Sequence, residues 1–318
     1  MSGAALRLSG VTVRYSDADR DAISDIDLEV GAGEFMVLLG PSGGGKSTLL
    51  RTINRLIPLK RGHISVNGTD TATLDPVELR RTIGYSIQAV GLFPHMTVAE
   101  NIGIVPSLLG WPREQIDARV DELLQLVRLD PQRYRERRPA ELSGGEAQRV
   151  GVARAIAANP RVLLMDEPFG ALDVIVRAQL QDELLHIVHS METTTIFVTH
   201  DVDEALRLAD RIAVIYNGRI EQVARPLDML LRPATPYVAE LLRTEDVVRR
   251  LGIMHAGDIA ERGQIAADGA RAEAGDDLHT VLNRLLNGAD RVIVLQNGEP
   301  VGTIDFQTLR RAIAQARS

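Results

Sequence analysis

The chain contains no cysteine, so it can form neither a disulfide framework nor a thiolate metal site, and the absence fits a reducing compartment. Aromatic residues make up only 3% of it, with a single Trp, so its core has to be built from Leu, Ile, Val and Ala. Basic residues are not in excess: Lys and Arg number 36 against 43 Asp and Glu, a formal net charge of -7. That balance counts against a dedicated nucleic-acid binder, which usually carries a basic face, although it leaves a local basic patch open. Long apolar runs are missing as well. FMVLLG (35–40) and VLLM (162–165) fall far short of the ~20 residues a membrane helix needs. The first residues, MSGAALRLSG, lack the basic start and apolar run of a signal peptide. The expectation is a chain that neither crosses a membrane nor is exported by the usual route, so that any membrane work goes through a partner.

What is present is ordinary globular material, 45% hydrophobic and 25% charged. At roughly 150 residues per domain, 318 residues suggest one large domain and a small one. From Leu6 to about Val223 the pattern alternates strands and helices, the signature of an α/β fold. Residues 35–39 read as a strand running into a glycine-rich turn, with a helix starting near Lys46. Val162–Met165, Thr195–Thr199 and Arg211–Ile215 read as strands buried on both faces. Between about Val98 and Pro139 the apolar spacing becomes helical (Val120, Leu123, Leu124, Val127) and no strand candidate appears, which predicts an all-helical insert. The stretch Arg225 to Pro236 holds three prolines and reads as a turn-rich boundary. From about Val247 a separate small unit follows. It contains an amphipathic helix (Leu278, Val281, Leu282, Leu285, Leu286), the runs RVIVL and PVGTI around an Asn297-Gly298 turn, and a last helix from about Phe306.

The strongest local signal is GPSGGGKST: Gly40, Pro41, Ser42, Gly43, Gly44, Gly45, Lys46, Ser47 and Thr48. It matches the G-x-x-x-x-G-K-[ST] phosphate loop and stands between a strand and a helix, as that motif must. Its glycines let successive N–H groups turn toward phosphates, and the helix start adds partial positive charge. Lys46 would reach the β- and γ-phosphates of ATP, and Ser47 would ligate Mg²⁺. The plain alternative is a glycine-rich turn with a solvated lysine. VLLMDEP (162–168) delivers two acids to a strand's C-terminal end, where ligands gather in α/β sheets. Asp166 would hold Mg²⁺ through water, and Glu167 would take a proton from an attacking water. Adjacent acids after a strand otherwise serve as a helix cap.

LSGGEAQRVGVARA (142–155) resembles the signature sequence of ABC ATPases, usually LSGGQ, with Glu146 in the final place. The resemblance implies that two copies of the chain pack head to tail. Ser143, Gly144 and Gly145 of one copy then cover the ATP held by the other copy's phosphate loop. In the same family pattern Tyr15 resembles the aromatic that stacks on adenine, and Gln88 the glutamine linking Mg²⁺ and the attacking water to the membrane partner. Asp173, in FGALD, falls in the loop that joins the two sites. His200, in FVTHD, matches the histidine that contacts the γ-phosphate. Taken singly, the tyrosine could be edge packing, and the SGG turn or the histidine a helix cap.

The implied fold is α/β: a P-loop NTPase cassette over 1–242, with a RecA-like core, an antiparallel β subdomain and a helical subdomain at about 98–158. A small α+β domain follows over 247–318. Its segment from Met254 to about Ala314 resembles one CBS motif, with GDI (257–259) and GTIDFQTL (302–309) in order. CBS motifs normally work as pairs, and Asp305 and Thr308 are interchanged relative to the usual pattern, which places a carboxylate where a phosphate would meet a hydroxyl. The expectation is a packing or dimerising domain ahead of a nucleotide sensor.

The stretch IQAVGLFPHMTVAENIGIVPSLLGW (87–111) resembles the ATPases of glycine betaine, carnitine, choline and proline uptake. The implied function is the ATP-hydrolysing subunit of an osmoprotectant importer. It would work at the cytoplasmic face of the membrane with permease subunits, indirectly with a solute-binding protein, and without nucleic acid. Alternatives are an importer of polyamine, sulfate or amino acid, or an ABC ATPase outside transport; the latter classes need coiled-coil or zinc-bearing inserts, or two cassettes in one chain, and neither feature is found.

Overall fold

ISDIDLEVG alternates apolar and polar residues while FMVLL is apolar throughout, and the two become strands of different sheets. The computed structural model describes residues 4–16, 18–87, 91–170, 172–243, 251–261 and 270–315. The chain divides into two compact units, 1–223 and 224–318.

In the first unit, β1 (Ala4–Val13) pairs antiparallel with β2 (Ile23–Gly31) and with β4 (Arg61–Val66), and β5 (Thr69–Asp70) closes the order β2-β1-β4-β5. The period-2 pattern of β2 buries Ile23, Ile26, Leu28 and Val30, and its polar positions face outward.

The second sheet holds β3 (Phe35–Leu39), β6 (Ile83–Ser86), β7 (Val162–Asp166), β8 (Thr194–Thr199), β9 (Arg211–Tyr216) and β10 (Arg219–Ala224) in the order β10-β9-β3-β8-β7-β6. The strands run parallel from β9 across to β6. Every residue of β3, β7 and β8 is buried, as expected for parallel strands covered on both faces. The helices α1 (Lys46–Ile53), α2 (Pro76–Thr82), α7 (Val174–Ser190) and α8 (Val202–Leu208) lie between strands along the chain. Phe35 and Phe169 both pack on Phe197, with ring centroids 5.7 and 5.9 Å away, so three of the few aromatics present are gathered into one cluster of this unit.

Residues 98–156 hold α3 (Val98–Leu108), α4 (Arg113–Leu126), α5 (Pro131–Tyr134) and α6 (Gly144–Ile156), with no strand among them. Val120, Leu123 and Leu124 are the buried face of α4, as their spacing predicts. Thr97 and Glu100 form a reciprocal capping box at the start of α3.

The second unit contains α9 (Pro226–Leu231), α10 (Pro236–Leu242), α11 (Ala256–Ile259), β11 (Ala270–Glu273), α12 (Leu278–Leu286), β12 (Val292–Gln296), β13 (Glu299–Ile304) and α13 (Phe306–Gln315). β11 runs parallel to β12, which pairs antiparallel with β13 across the Asn297-Gly298 turn. Both turn residues have positive φ, 55° and 80°, the requirement of a tight hairpin turn. Leu278, Val281 and Leu285 of α12 enter a core with Val292, Val294 and Ile304, while Leu286 is 66% exposed.

The prolines of 225–236 do not all make turns. Pro226 and Pro236 each open a helix, because the first helical turn leaves its N–H groups unbonded and so loses nothing to a residue without one. Among the described residues no helix is long and apolar enough to cross a membrane.

Candidate functional site: a phosphate loop beside a buried acid

Strand register brings three of the predicted residues to one place. Leu39 of β3 pairs with Thr199 of β8, and Val198 of β8 pairs with Asp166 of β7. The three residues that follow these strand ends (Gly40, His200 and Glu167) therefore emerge at one edge of the sheet. Ser42 to Thr48 and Glu167 line a cleft there.

The loop from Gly40 to Gly45 is held by backbone bonds: Gly44 N–H donates to Pro41 O at 3.1 Å, and Gly218 N–H donates to Gly44 O at 3.1 Å. Gly45 has φ 106°, and a Cβ there would stand 2.6 Å from Ile23 Cγ2 and 3.0 Å from Ala22 O. Only glycine fits that conformation and that approach. Lys46, the first residue of α1, is buried, and its Nζ donates to Gly40 O at 2.7 Å and Pro41 O at 2.8 Å. The ammonium is thus curled inside the loop that would embrace a phosphate. Burial draws its pKa down, opposed by the nearby charges of Glu167 and Asp166.

Ser47 donates its hydroxyl hydrogen to Asp166 Oδ1 at 2.8 Å. Asp166 is buried, and its other oxygen, Oδ2, has no hydrogen-bond partner. Desolvation by burial raises its pKa, and the Ser47 bond opposes the rise. An orphaned carboxylate oxygen beside a serine hydroxyl is a donor set of the hard oxygen type that Mg²⁺ takes. Among the described residues no group of three or more His, Cys, Asp and Glu could hold a metal ion.

Glu167 has φ 47°, and its N–H donates to Val198 O at 3.1 Å. The backbone of β7 turns sharply here while staying bonded to β8. The Glu167 side chain lies 3.1 Å from His200 Nδ1, with His200 the more exposed partner at 59%. Tyr15 is 41% exposed, and its hydroxyl is 3.1 Å from the Thr48 hydroxyl, which tethers this aromatic to the start of α1. Asp173 caps α7 by accepting from Val176 N–H at 3.0 Å. Gln88 lies outside the described residues.

Ser143 caps α6 and is exposed. Its Oγ accepts from Glu146 N–H at 3.3 Å, and the Glu146 carboxylate accepts from Ser143 N–H at 2.7 Å. Among the described residues no hydrogen bond or ion pair joins Ser143, Gly144 or Gly145 to Gly40–Thr48. The phosphate loop and the signature turn are separate features of one chain. The motifs leave Tyr134 unmarked and present Glu146 only as a departure from the usual signature. Yet the S-x-x-E spacing of Ser143 and Glu146 is itself a capping-box signal.

A parallel sheet carrying a phosphate loop, with a buried acid at a nearby strand end, defines a nucleoside-triphosphatase of the P-loop class. A family model described as "ABC transporter" matches residues 23–170. The osmoprotectant import ATP-binding protein OsmV of Salmonella typhimurium is 48% identical over 241 residues, 76% of this chain and 63% of that protein. The glycine betaine uptake system ATP-binding protein YehX of Escherichia coli is 45% identical over 291 residues, 91% of this chain and 94% of that protein. Among solved structures, the ADP- and Pi-bound dimeric ATP-binding cassette MJ0796 in a post-hydrolysis state is similar, with TM-score 0.64 and 32% identity over 70% of this chain and 98% of that one. This chain belongs to the ABC transporter family, among its ATP-binding proteins.

Proposed function

We propose that this chain hydrolyses ATP to drive uptake of a small osmoprotectant such as glycine betaine, choline, carnitine or proline. The observation that carries the solute class is the likeness to the glycine betaine uptake ATPase of Escherichia coli over 94% of that protein's length. Proteins named for glycine betaine/carnitine/choline transport and for choline transport in Bacillus subtilis, each 48% identical over 77% of this chain, point the same way.

The chemistry follows from the residues at the sheet edge. Lys46 leaves the carbonyls of Gly40 and Pro41 for the β- and γ-phosphates, a point charge replacing two neutral acceptors with anionic ones. Ser47 and Asp166 would hold Mg²⁺, which when bound neutralises charge on the phosphate oxygens. Glu167 accepts a proton from the attacking water as the water oxygen bonds to the γ-phosphorus and the bond to the ADP oxygen breaks. His200, whose Nδ1 lies 3.1 Å from the Glu167 carboxylate, would orient that base and meet the γ-phosphate from its other face. Tyr15 offers its exposed ring to adenine. Gln88 would link the site to the membrane partner, and Asp173 would lie where the two sites meet.

In this reading Ser143, Gly144 and Gly145 serve the ATP held by a second copy of the chain, in keeping with the dimeric ATP-binding cassette among the similar structures. The two copies would work under permease subunits at the cytoplasmic face of the membrane, and a solute-binding protein would choose the cargo. Residues 1–242 form the cassette in this reading, with the helical subdomain at about 98–158, and 247–318 form a CBS-like unit that packs or dimerises.

The test is solute uptake in cells that lack the gene. The wild-type chain is expected to restore ATP-dependent glycine betaine or choline uptake, and Glu167→Gln is not. Restoration of polyamine, sulfate or amino-acid uptake instead would overturn the solute class.

A further inference from the structure

The signature turn carries a charge of its own. Glu146 stands in the first turn of α6, beside the groups that would touch a phosphate, where a like charge would repel it. Both oxygens of its carboxylate are engaged: Oε1 accepts from the Tyr134 hydroxyl at 2.5 Å and Oε2 from the Ser143 N–H at 2.7 Å. Tyr134 is well placed to hold it. The ring is only 9% exposed, the Arg137 guanidinium lies 4.6 Å over it, and that of Arg133 lies 5.5 Å away. Its own N–H is bonded to Asp130 O at 2.9 Å, and Arg137, which donates to Tyr134 O, accepts from Val98 N–H at the start of α3. A long acidic side chain is therefore fixed by a rigid phenol anchored in the neighbouring helices.

We infer that Tyr134 is a positioning residue for the signature turn: it pins the Glu146 carboxylate back onto the Ser143 N–H and so keeps that charge off the phosphate held by a second copy of the chain. With Glu146 so held, the Ser143 hydroxyl hydrogen and the N–H groups of Gly144 and Gly145, which the helix leaves unbonded while the Glu146 N–H is capped by Ser143 Oγ, are the groups turned to the anion. The electrostatics agree with the geometry. The Tyr134 hydrogen bond, followed by the Ser143 N–H, lowers the Glu146 carboxyl to about 2, and the same bond raises the Tyr134 phenol. The inference rests on the reading that Ser143 serves the partner copy's ATP.

The experiment is a double-mutant cycle in the full chain with Tyr134→Phe, Glu146→Gln and the pair. ATP turnover is followed against ATP concentration and pH, with the melting temperature of each variant. Tyr134→Phe keeps the ring and removes only the hydroxyl. It is expected to raise the ATP concentration for half-maximal turnover about tenfold, the scale of one hydrogen bond to a charged group. Glu146→Gln is expected to restore the wild-type value in that background, because the uncharged amide needs no pinning. The defect of Tyr134→Phe should also shrink as the pH is lowered through about 4.5, the ordinary value to which a released glutamate returns. An equal loss whether position 146 carries glutamate or glutamine, or no loss with Glu146 in place, overturns the inference. Ser143→Arg separates the two levels. Lost turnover there upholds the signature reading, so that a failed cycle counts against Tyr134 alone. Retained turnover overturns the signature reading and the inference with it.

Discussion

Ser47 and Asp166, 119 positions apart, share a hydrogen bond of 2.8 Å that joins the first turn of α1 to the end of β7. The bond satisfies one oxygen of a buried carboxylate and leaves the other with no partner. A buried carboxylate oxygen without a partner costs stability in the folded chain.

Asp166→Asn should therefore raise the melting temperature of the nucleotide-free chain at pH 7 while abolishing ATP hydrolysis. The sign follows from the raised pKa of Asp166. The folded state holds this proton more tightly than the unfolded state, so stability falls as pH rises from the ordinary value of 3.8 through the raised one. The advantage of the asparagine variant should fade as pH drops toward that ordinary value. Thermal denaturation across pH checks it; an asparagine variant less stable than wild type at pH 7 would count against the account.

Glu167→Gln should bind ATP as the wild type does and turn it over about 10²–10⁴-fold more slowly, the usual contribution of a general base. Equilibrium binding and steady-state hydrolysis on the same preparation decide it. Wild-type turnover would remove the role proposed for Glu167.

Gly45→Ala should destabilise the chain by about 2–4 kcal/mol, since it combines a positive φ with overpacking. The new Cβ would meet Ile23 Cγ2 at 2.6 Å and Ala22 O at 3.0 Å. Chemical denaturation measures the loss, and an unchanged midpoint would mean that the loop relaxes freely.

In the second unit, Asp305 Oδ1 accepts from both the N–H and the hydroxyl of Thr308, at 2.8 and 3.0 Å. The interchange of acid and hydroxyl relative to the CBS pattern thus makes a helix cap for α13, with Thr308 buried behind it. Asp305→Ala should cost about 1 kcal/mol. The chain carrying Lys46→Ala, with its phosphate loop disabled, should bind no adenine nucleotide in calorimetry. Micromolar binding of an adenine nucleotide to that variant would overturn the view of Asp305 as a cap alone.

The local signals were legible because each is a local physical requirement. Glycines that must turn, a lysine and a hydroxyl at a helix start, an apolar strand ending in acids and an Asn-Gly hairpin turn all act over a few residues, so their spacing survives in one dimension. The apolar runs 35–39, 162–165 and 195–199 read as buried strands for the same reason, as does the period of Val120, Leu123 and Leu124 for α4. Prolines 226 and 236 misled in part, because the residue that ends a helix also starts one.

By itself, then, the sequence determined an α/β chain with a phosphate loop, paired acids after a strand and a signature turn before a helix. Tertiary structure alone decided which strand lies beside which. The order β3-β8-β7 sets Gly40, His200 and Glu167 at one edge, and parallel pairing between distant segments leaves no trace in the spacing of either. It also decided that Lys46 rests on its own loop carbonyls, that Asp166 keeps an unpaired oxygen and that Glu146 is held by Tyr134. Those outcomes depend on burial and on distances between side chains, which exist only once the chain has closed on itself.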